Sequence, residues 1–161
     1  TSVVGFEEAL DINNLLDNIL RLQSGILSEL KIEVKKDFDY KLGKITIDKS
    51  RLMQTLINVI KNATEAITEK RPDKPEIILR TRAVPDFVEI SIKDNGVGVE
   101  RNNLTKIFTF GFTTKKEKKG SGFGLHYCSN FLNSIGGNIE VKSEGLGQGA
   151  EFIIRLPTST A

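Results

Sequence analysis

The chain has 161 residues, 39% hydrophobic and 27% charged, the profile of one ordinary globular domain able to bury a core and not of a disordered segment. Its 23 basic and 21 acidic residues leave a net charge of +2, too balanced to argue for a nucleic-acid or membrane surface. A single cysteine, Cys128, excludes an internal disulfide and fits a reducing compartment, and no apolar run approaches the roughly 20 residues a membrane span needs.

The chain opens at Thr1-Ser2 with neither Met nor a signal-peptide pattern, so residues 1–161 read as one domain excised from a longer protein. "FEEALDINNLLDNILRLQSGIL" starts with a short extended piece and continues as a helix, with Leu15, Leu16, Ile19, Leu22 and Ile26 at helical spacing. "KIEVKKDF" alternates, placing Ile32, Val34 and Lys36 on one face of a strand, and "KITI" is a second short strand. Asp48 or Ser50 could cap the next helix, whose apolar stripe is Leu52, Leu56, Val59, Ile60, Ala63 and Ile67. Pro72 and Pro75 close it.

"EIILRTRAV" and "FVEISIKDN", joined by a turn at Pro85-Asp86, form an antiparallel hairpin. A loop rich in Gly, Thr and Lys runs from about 96 to 122, followed by a helix, "FGLHYCSNFLNSI", that stops at Gly136-Gly137. "NIEVKSEG" and "GAEFIIRLP" make a last hairpin. Helices on one side and mostly antiparallel strands on the other predict a two-layer α+β sandwich.

Four stretches could carry chemistry. Asn58 and Asn62 lie four apart on the central helix and off its apolar stripe. They are either solvated surface or a side-chain oxygen for Mg²⁺, a cation that takes hard oxygen ligands and shares them with phosphates. Glu65, one turn further, either orients Asn62 or is solvated. In "DNGVGV", Asp94 ends a strand on the same face as Ile90 and Ile92, where an acid is costly unless it finds a donor. Asp-Asn-Gly is also a common turn. The other reading is a nucleotide pocket, with Asp94 accepting from the exocyclic amine of adenine and Gly96 and Gly98 admitting the base close to the backbone.

"GSGFGL", from Gly120 to Leu125, opens a helix, and Gly120, Gly122 and Gly124 free backbone N–H groups to meet an anion. Its spacing is not a dinucleotide fingerprint, and no Walker-type loop is present. Between the glycine clusters, Phe108, Phe110 and Phe112 are apolar plugs, and Thr113, Thr114 and Lys115 offer hydroxyls and a cation for phosphate. Lys116 to Lys119 read as a solvated charge run.

In this order the stretches resemble the ATP-binding catalytic domain of sensor histidine kinases, in the superfamily shared with gyrase, Hsp90-type chaperones and MutL, with its Bergerat-type fold. "LMQTLINVIKNATEAI" looks like the asparagine box and "DNGVGV" like the first glycine box. "IFTFGFTTK" looks like the phenylalanine box, and the segment beginning "GSGFGLHYCSN" like the second glycine box and terminal hairpin. "GFGLH" is similar to a subgroup of large multi-sensor kinases, whereas Phe110-Gly111 departs from the Pro-Phe of many relatives.

The resemblance implies ATP and Mg²⁺ as ligands, Asn62 as the metal ligand, Asn58 near the phosphates and Asp94, with Gly96 and Gly98, as the adenine site. Thr113, Thr114 and Lys115 become the phosphate side of a lid hinged at Gly120, Gly122 and Gly124. Phe108, Phe123 and Leu125 join the nucleotide-binding residues, with Gly147 and Gly149 at the pocket's edge. The expected reaction is transfer of the γ-phosphate to a histidine on a separate dimerisation domain of the same protein, and thence to a response regulator. The implied catalytic residues are Asn58, Asn62 and Lys115.

The only histidine, His126, lies inside the second glycine box and is expected to be structural or lid-related. The fragment is expected to be a cytoplasmic monomer that contacts neither nucleic acid nor membrane, although the full protein could be membrane-anchored. Three rivals stand beside this reading. An ATPase of the gyrase or chaperone type would carry a Glu where Asn58 stands, to activate water. A serine kinase that inhibits sigma factors fits the long lid less well. A degenerate domain would sense nucleotide without catalysis.

Overall fold

The computed structural model describes residues 6–109, 111–112 and 124–158. The first strand, β1 (Glu7–Leu10), leads into α1 (Ile12–Leu22) through Asp11, whose carboxylate accepts from the Asn14 N–H at 3.1 Å, a side-chain N-cap. Leu15, Leu16 and Ile19 are buried, as their spacing predicts, and so is Ile12. Leu22 and Ile26 are not: they are 65% and 38% exposed. The helix breaks at Gln23 and restarts as α2 (Ser24–Glu29), which buries Leu27 instead. A break resets the helical phase, so a period counted across it points the wrong way.

The strand β2 (Glu33–Asp37) and the strand β3 (Ile45–Asp48) follow, and β1 pairs with β3 in an antiparallel two-stranded ribbon that no local pattern announces. Asp48, rather than Ser50, caps the long α3 (Lys49–Lys70), accepting from Arg51 N–H at 3.2 Å. All six residues of the expected stripe on α3 are buried. The helix ends at Arg71, which takes the left-handed conformation (φ 56°) just before Pro72.

The main sheet adds β4 (Glu76–Val84) and β5 (Phe87–Asp94), and then, after α4 (Gly124–Ser134), the final hairpin of β6 (Asn138–Lys142) and β7 (Ala150–Pro157). Its order is β2-β4-β5-β7-β6. The pairs β4–β5, β5–β7 and β6–β7 are antiparallel, and β2 joins β4 in parallel. The parallel pair requires a long crossover, here supplied by β3 and α3. The helices cover one face, with Leu16, Ile19, Leu52, Leu56 and Ile60 meeting Ile77, Leu79, Ile90, Ile92 and Phe152 in one core. The result is the expected two-layer α+β sandwich with a mixed, mostly antiparallel sheet.

Candidate functional site

Asp94 ends β5 at the middle of the sheet, opposite Ile77 of β4 and Ala150 of β7. Strand alternation turns it to the face of Ile90 and Ile92, under the helices, where it is 4% exposed. Its Oδ1 accepts from the Gly96 N–H at 2.8 Å. Its buried Oδ2 has no hydrogen-bond partner among the described residues. Burial pushes the carboxyl up to about 6, against the smaller opposing influence of the Gly96 and Ala150 backbone N–H groups. A buried acceptor without a donor is rare and costly in a folded protein, and the residue type and position suit a donor brought by a ligand.

The loop after Asp94 is held from three sides. Asn95 locks its outer side: Oδ1 accepts from Glu76 N–H at 2.9 Å and Nδ2 donates to the Lys74 carbonyl at 2.7 Å. Toward α3, Val97 N–H donates to the Ala66 carbonyl at 3.0 Å. Toward the β6–β7 turn, Gly147 N–H donates to Val97 O at 2.6 Å and Gly149 N–H to Gly96 O at 3.1 Å. A Cβ on Gly96 would lie 2.5 Å from the Ala66 carbonyl carbon, and one on Gly98 (φ 75°) 2.3 Å from Gly145 O. These glycines therefore have a packing reason of their own: each lets two backbone segments touch. Lys70, at the end of α3, donates to the Gly147 carbonyl, and Ser143 Oγ accepts from Val99 N–H at 3.0 Å.

Asn58, Asn62 and Ala66 are spaced four apart, one row along α3. At one end of the row, Asn58 Nδ2 lies 3.4 Å from Gly124 O at the start of α4. At the other, Ala66 meets Gly96 and Val97. Half-buried Asn62 thus lies on the row between Asn58, which faces Gly124, and Ala66, which meets Gly96. Among the described residues no group of three His, Cys, Asp or Glu side chains could hold a metal ion. The Asn62 amide oxygen is a hard donor of the kind that could hold Mg²⁺ when phosphates supply the other ligands.

Phe108 is drawn into the core edge, its ring set edge-on to Phe152 with centroids 6.2 Å apart. Leu125 also packs against the core. His126 Nδ1 is 3.3 Å from the Phe108 carbonyl and its Nε2 is 3.1 Å from Asn130 Nδ2, contacts that suit a ring proton on Nδ1. The ring ties the first turn of α4 to the chain at Phe108. Cys128 is buried, its Sγ 3.5 Å from the Thr55 carbonyl, and burial pushes its thiol up to about 12, which leaves it unreactive. Phe110, Thr113, Thr114, Lys115, Gly120, Gly122 and Phe123 lie outside the described residues.

Asn95, Ser143 and Lys70 were not among the residues picked from sequence. Asn95 had a signal in the Asp-Asn-Gly turn chemistry, whereas Ser143 and Lys70 act across 44 and 77 residues and had none.

Residues 47–160 match the family model described as "Histidine kinase-, DNA gyrase B-, and HSP90-like ATPase". The chain belongs to this family, and its relatives identify it as an ATP-binding catalytic domain of the sensor histidine kinase type. It is 34% identical over 152 residues to the sensor histidine kinase ZraS of Escherichia coli (strain K12), covering 94% of this chain and 31% of that protein. Full-length ShkA, solved in complex with AMPPNP, superimposes with a TM-score of 0.84 at 30% identity, over 100% of this chain and 33% of that one. The nucleotide-free catalytic domain of the histidine kinase ThkA gives a TM-score of 0.82 at 25% identity, over 94% and 95%. The chain thus spans about a third of the length of ZraS. Among the described residues no helix is long and apolar enough to cross a membrane.

Proposed function

We propose that this domain binds Mg·ATP and donates the γ-phosphate to a histidine on a separate dimerisation domain of the same full-length protein, from which a response regulator receives it. The observation that carries the nucleotide half is Asp94 Oδ2, a buried acceptor without a donor among the described residues. The adenine amine supplies that donor.

Asp94 selects the base, and the clasped backbone of residues 95–99 keeps its carboxylate in place. The row on α3 runs from that floor to the start of α4, which supports reading Asn62 as the residue nearest the phosphates. Asn62 would hold Mg²⁺ through its amide oxygen; the ion, when bound, neutralises charge on the phosphate oxygens. Thr113, Thr114, Lys115 and the glycines 120, 122 and 124 take the phosphate side by resemblance.

Transfer to an imidazole needs positioning and charge stabilisation and no hydrolytic base. Asn58 is consistent with this. Its neutral amide faces Gly124 and cannot take a proton from water, which disfavours an ATPase of the gyrase or chaperone type.

The test is to mix the domain with labelled ATP, Mg²⁺ and a histidine-bearing dimerisation domain. Acid-labile, base-stable label on the partner is the expected result. ATP hydrolysis without label would move the reading to an ATPase, and absence of ATP binding to a degenerate module.

A further inference from the structure

The geometry points to Ser143 as a positioning residue that sets purine selectivity by fixing which oxygen of Asp94 faces the base. The inference rests on the reading of Asp94 as the adenine acceptor.

Ser143 follows β6 and is half-buried against the loop after Asp94. A hydroxyl has one proton to give and two lone pairs to receive, and this one uses them all. It donates to the Gly149 carbonyl at 2.7 Å and accepts from Val99 N–H at 3.0 Å and Gly145 N–H at 3.3 Å. The Val99 bond reaches the Asp94 loop, and the other two hold the β6–β7 turn.

From Gly149 the chain of contacts runs to the acid. Gly149 N–H donates to Gly96 O at 3.1 Å, and Gly96 N–H donates to Asp94 Oδ1 at 2.8 Å. The packing has no slack along this route, since a Cβ on Gly149 would lie 2.2 Å from the Asp94 carbonyl oxygen. Ser143 therefore pins both ends of residues 96–99: Gly96 through Gly149, and Val99 directly.

That pinning matters because a carboxylate is symmetric. The Gly96 N–H breaks the symmetry by engaging Oδ1, which leaves Oδ2 for the ligand. If the Gly96 peptide shifts, the carboxylate turns, and the acceptor no longer points where the purine amine sits. Donor recognition weakens while the rest of the pocket still binds nucleotide.

The experiment measures affinities for ATP and for inosine triphosphate, which carries an oxygen in place of the amine, by calorimetry on the native chain and three variants. Ser143→Val removes the hydroxyl, and Ser143→Thr is its isostere with the hydroxyl kept. Asp94→Asn tests the base reading by itself. The expected result is that Ser143→Val lowers the preference for ATP over inosine triphosphate by about fivefold, a lost hydrogen bond's worth, while Ser143→Thr retains it. A preference unchanged in Ser143→Val overturns the proposal, as does equal loss in the Val and Thr variants, or equal weakening of both nucleotides. If Ser143→Val fails to fold, Ser143→Ala against Ser143→Thr is read in the same way. A preference that survives Asp94→Asn sinks the base reading itself. A preference lost in Asp94→Asn but intact in Ser143→Val sinks only the role of Ser143.

Discussion

Two carboxylates end two strands of the same sheet and meet opposite fates. Asp37, at the end of the edge strand β2, is exposed, and Arg80 Nε and Arg82 Nη2 reach its Oδ2 at 3.0 and 2.7 Å. The Arg82 hydrogen bond, with Arg80 beside it, holds its carboxyl below the ordinary range. Asp94, at the end of the central strand β5, is buried with one oxygen unpartnered among the described residues, and its carboxyl is pushed up to about 6. The first is complete within the protein. The second is left incomplete among the described residues, and the proposed function has the bound base complete it.

Four measurements separate the self-contained acid from the one left open. The largest effect is expected at the clasp. Gly149→Ala combines a positive φ of 71° with a Cβ 2.2 Å from the Asp94 carbonyl, and should cost about 3 kcal/mol or more of folding stability. Gly136→Ala, with φ 82° and open space around it, should cost only about 1–2 kcal/mol. Chemical denaturation of the pair separates strain from collision, and equal costs would contradict the packing account.

Next is Asp94→Asn. The Asn oxygen stays on the Gly96 N–H, so its amide NH₂ turns to the adenine amine, donor against donor. Loss of a charge-assisted bond is worth about 1.5–3 kcal/mol, or roughly 10- to 150-fold in ATP affinity by calorimetry. Unchanged affinity would refute the role.

The third concerns pH. Asp94 has a folded value raised from 3.8 to about 6, so its neutral form is favoured by folding. Its contribution to the nucleotide-free fold is full below about pH 4 and is lost as pH rises through 6, about 3 kcal/mol in all. Binding runs the other way. The ionised form accepts from the base, so affinity should fall about tenfold from pH 7 to 5. Asp94→Asn should flatten both slopes, and slopes that persist in the variant would assign them to another group. The smallest effect is Asp37→Ala, which should leave nucleotide affinity unchanged and shift the melting temperature least of the set. A drop in affinity there would erase the contrast between the two acids.

Where local pattern decides structure, the sequence was legible. The stripe of α3, the two hairpins and the strand end at Asp94 follow from periods of 3.6 and 2 and from turn residues. Pairings decided by distant partners were not. Nothing in "KIEVKKDF" says that it joins β4 in parallel, and nothing in "KITI" that it meets β1. Leu22 and Ile26 kept the period but lost the core when the helix broke at Gln23. At the candidate site, residue type and spacing singled out Asp94 and the Asn58–Asn62 pair but left a turn and a solvated surface open, and only the four stretches in order assigned them. Ser143 could not be singled out, because its role lies in bonds to loops brought beside it by the sheet.

Carbon-13 NMR of the Asp94 carboxyl reads directly the ionisation on which nucleotide recognition depends. Without nucleotide the resonance should titrate with a midpoint near 6. Addition of ADP should move that midpoint down, because the amine of the base favours the charged form. A midpoint near the ordinary carboxylate value without nucleotide, or one that ADP leaves in place, would contradict that dependence.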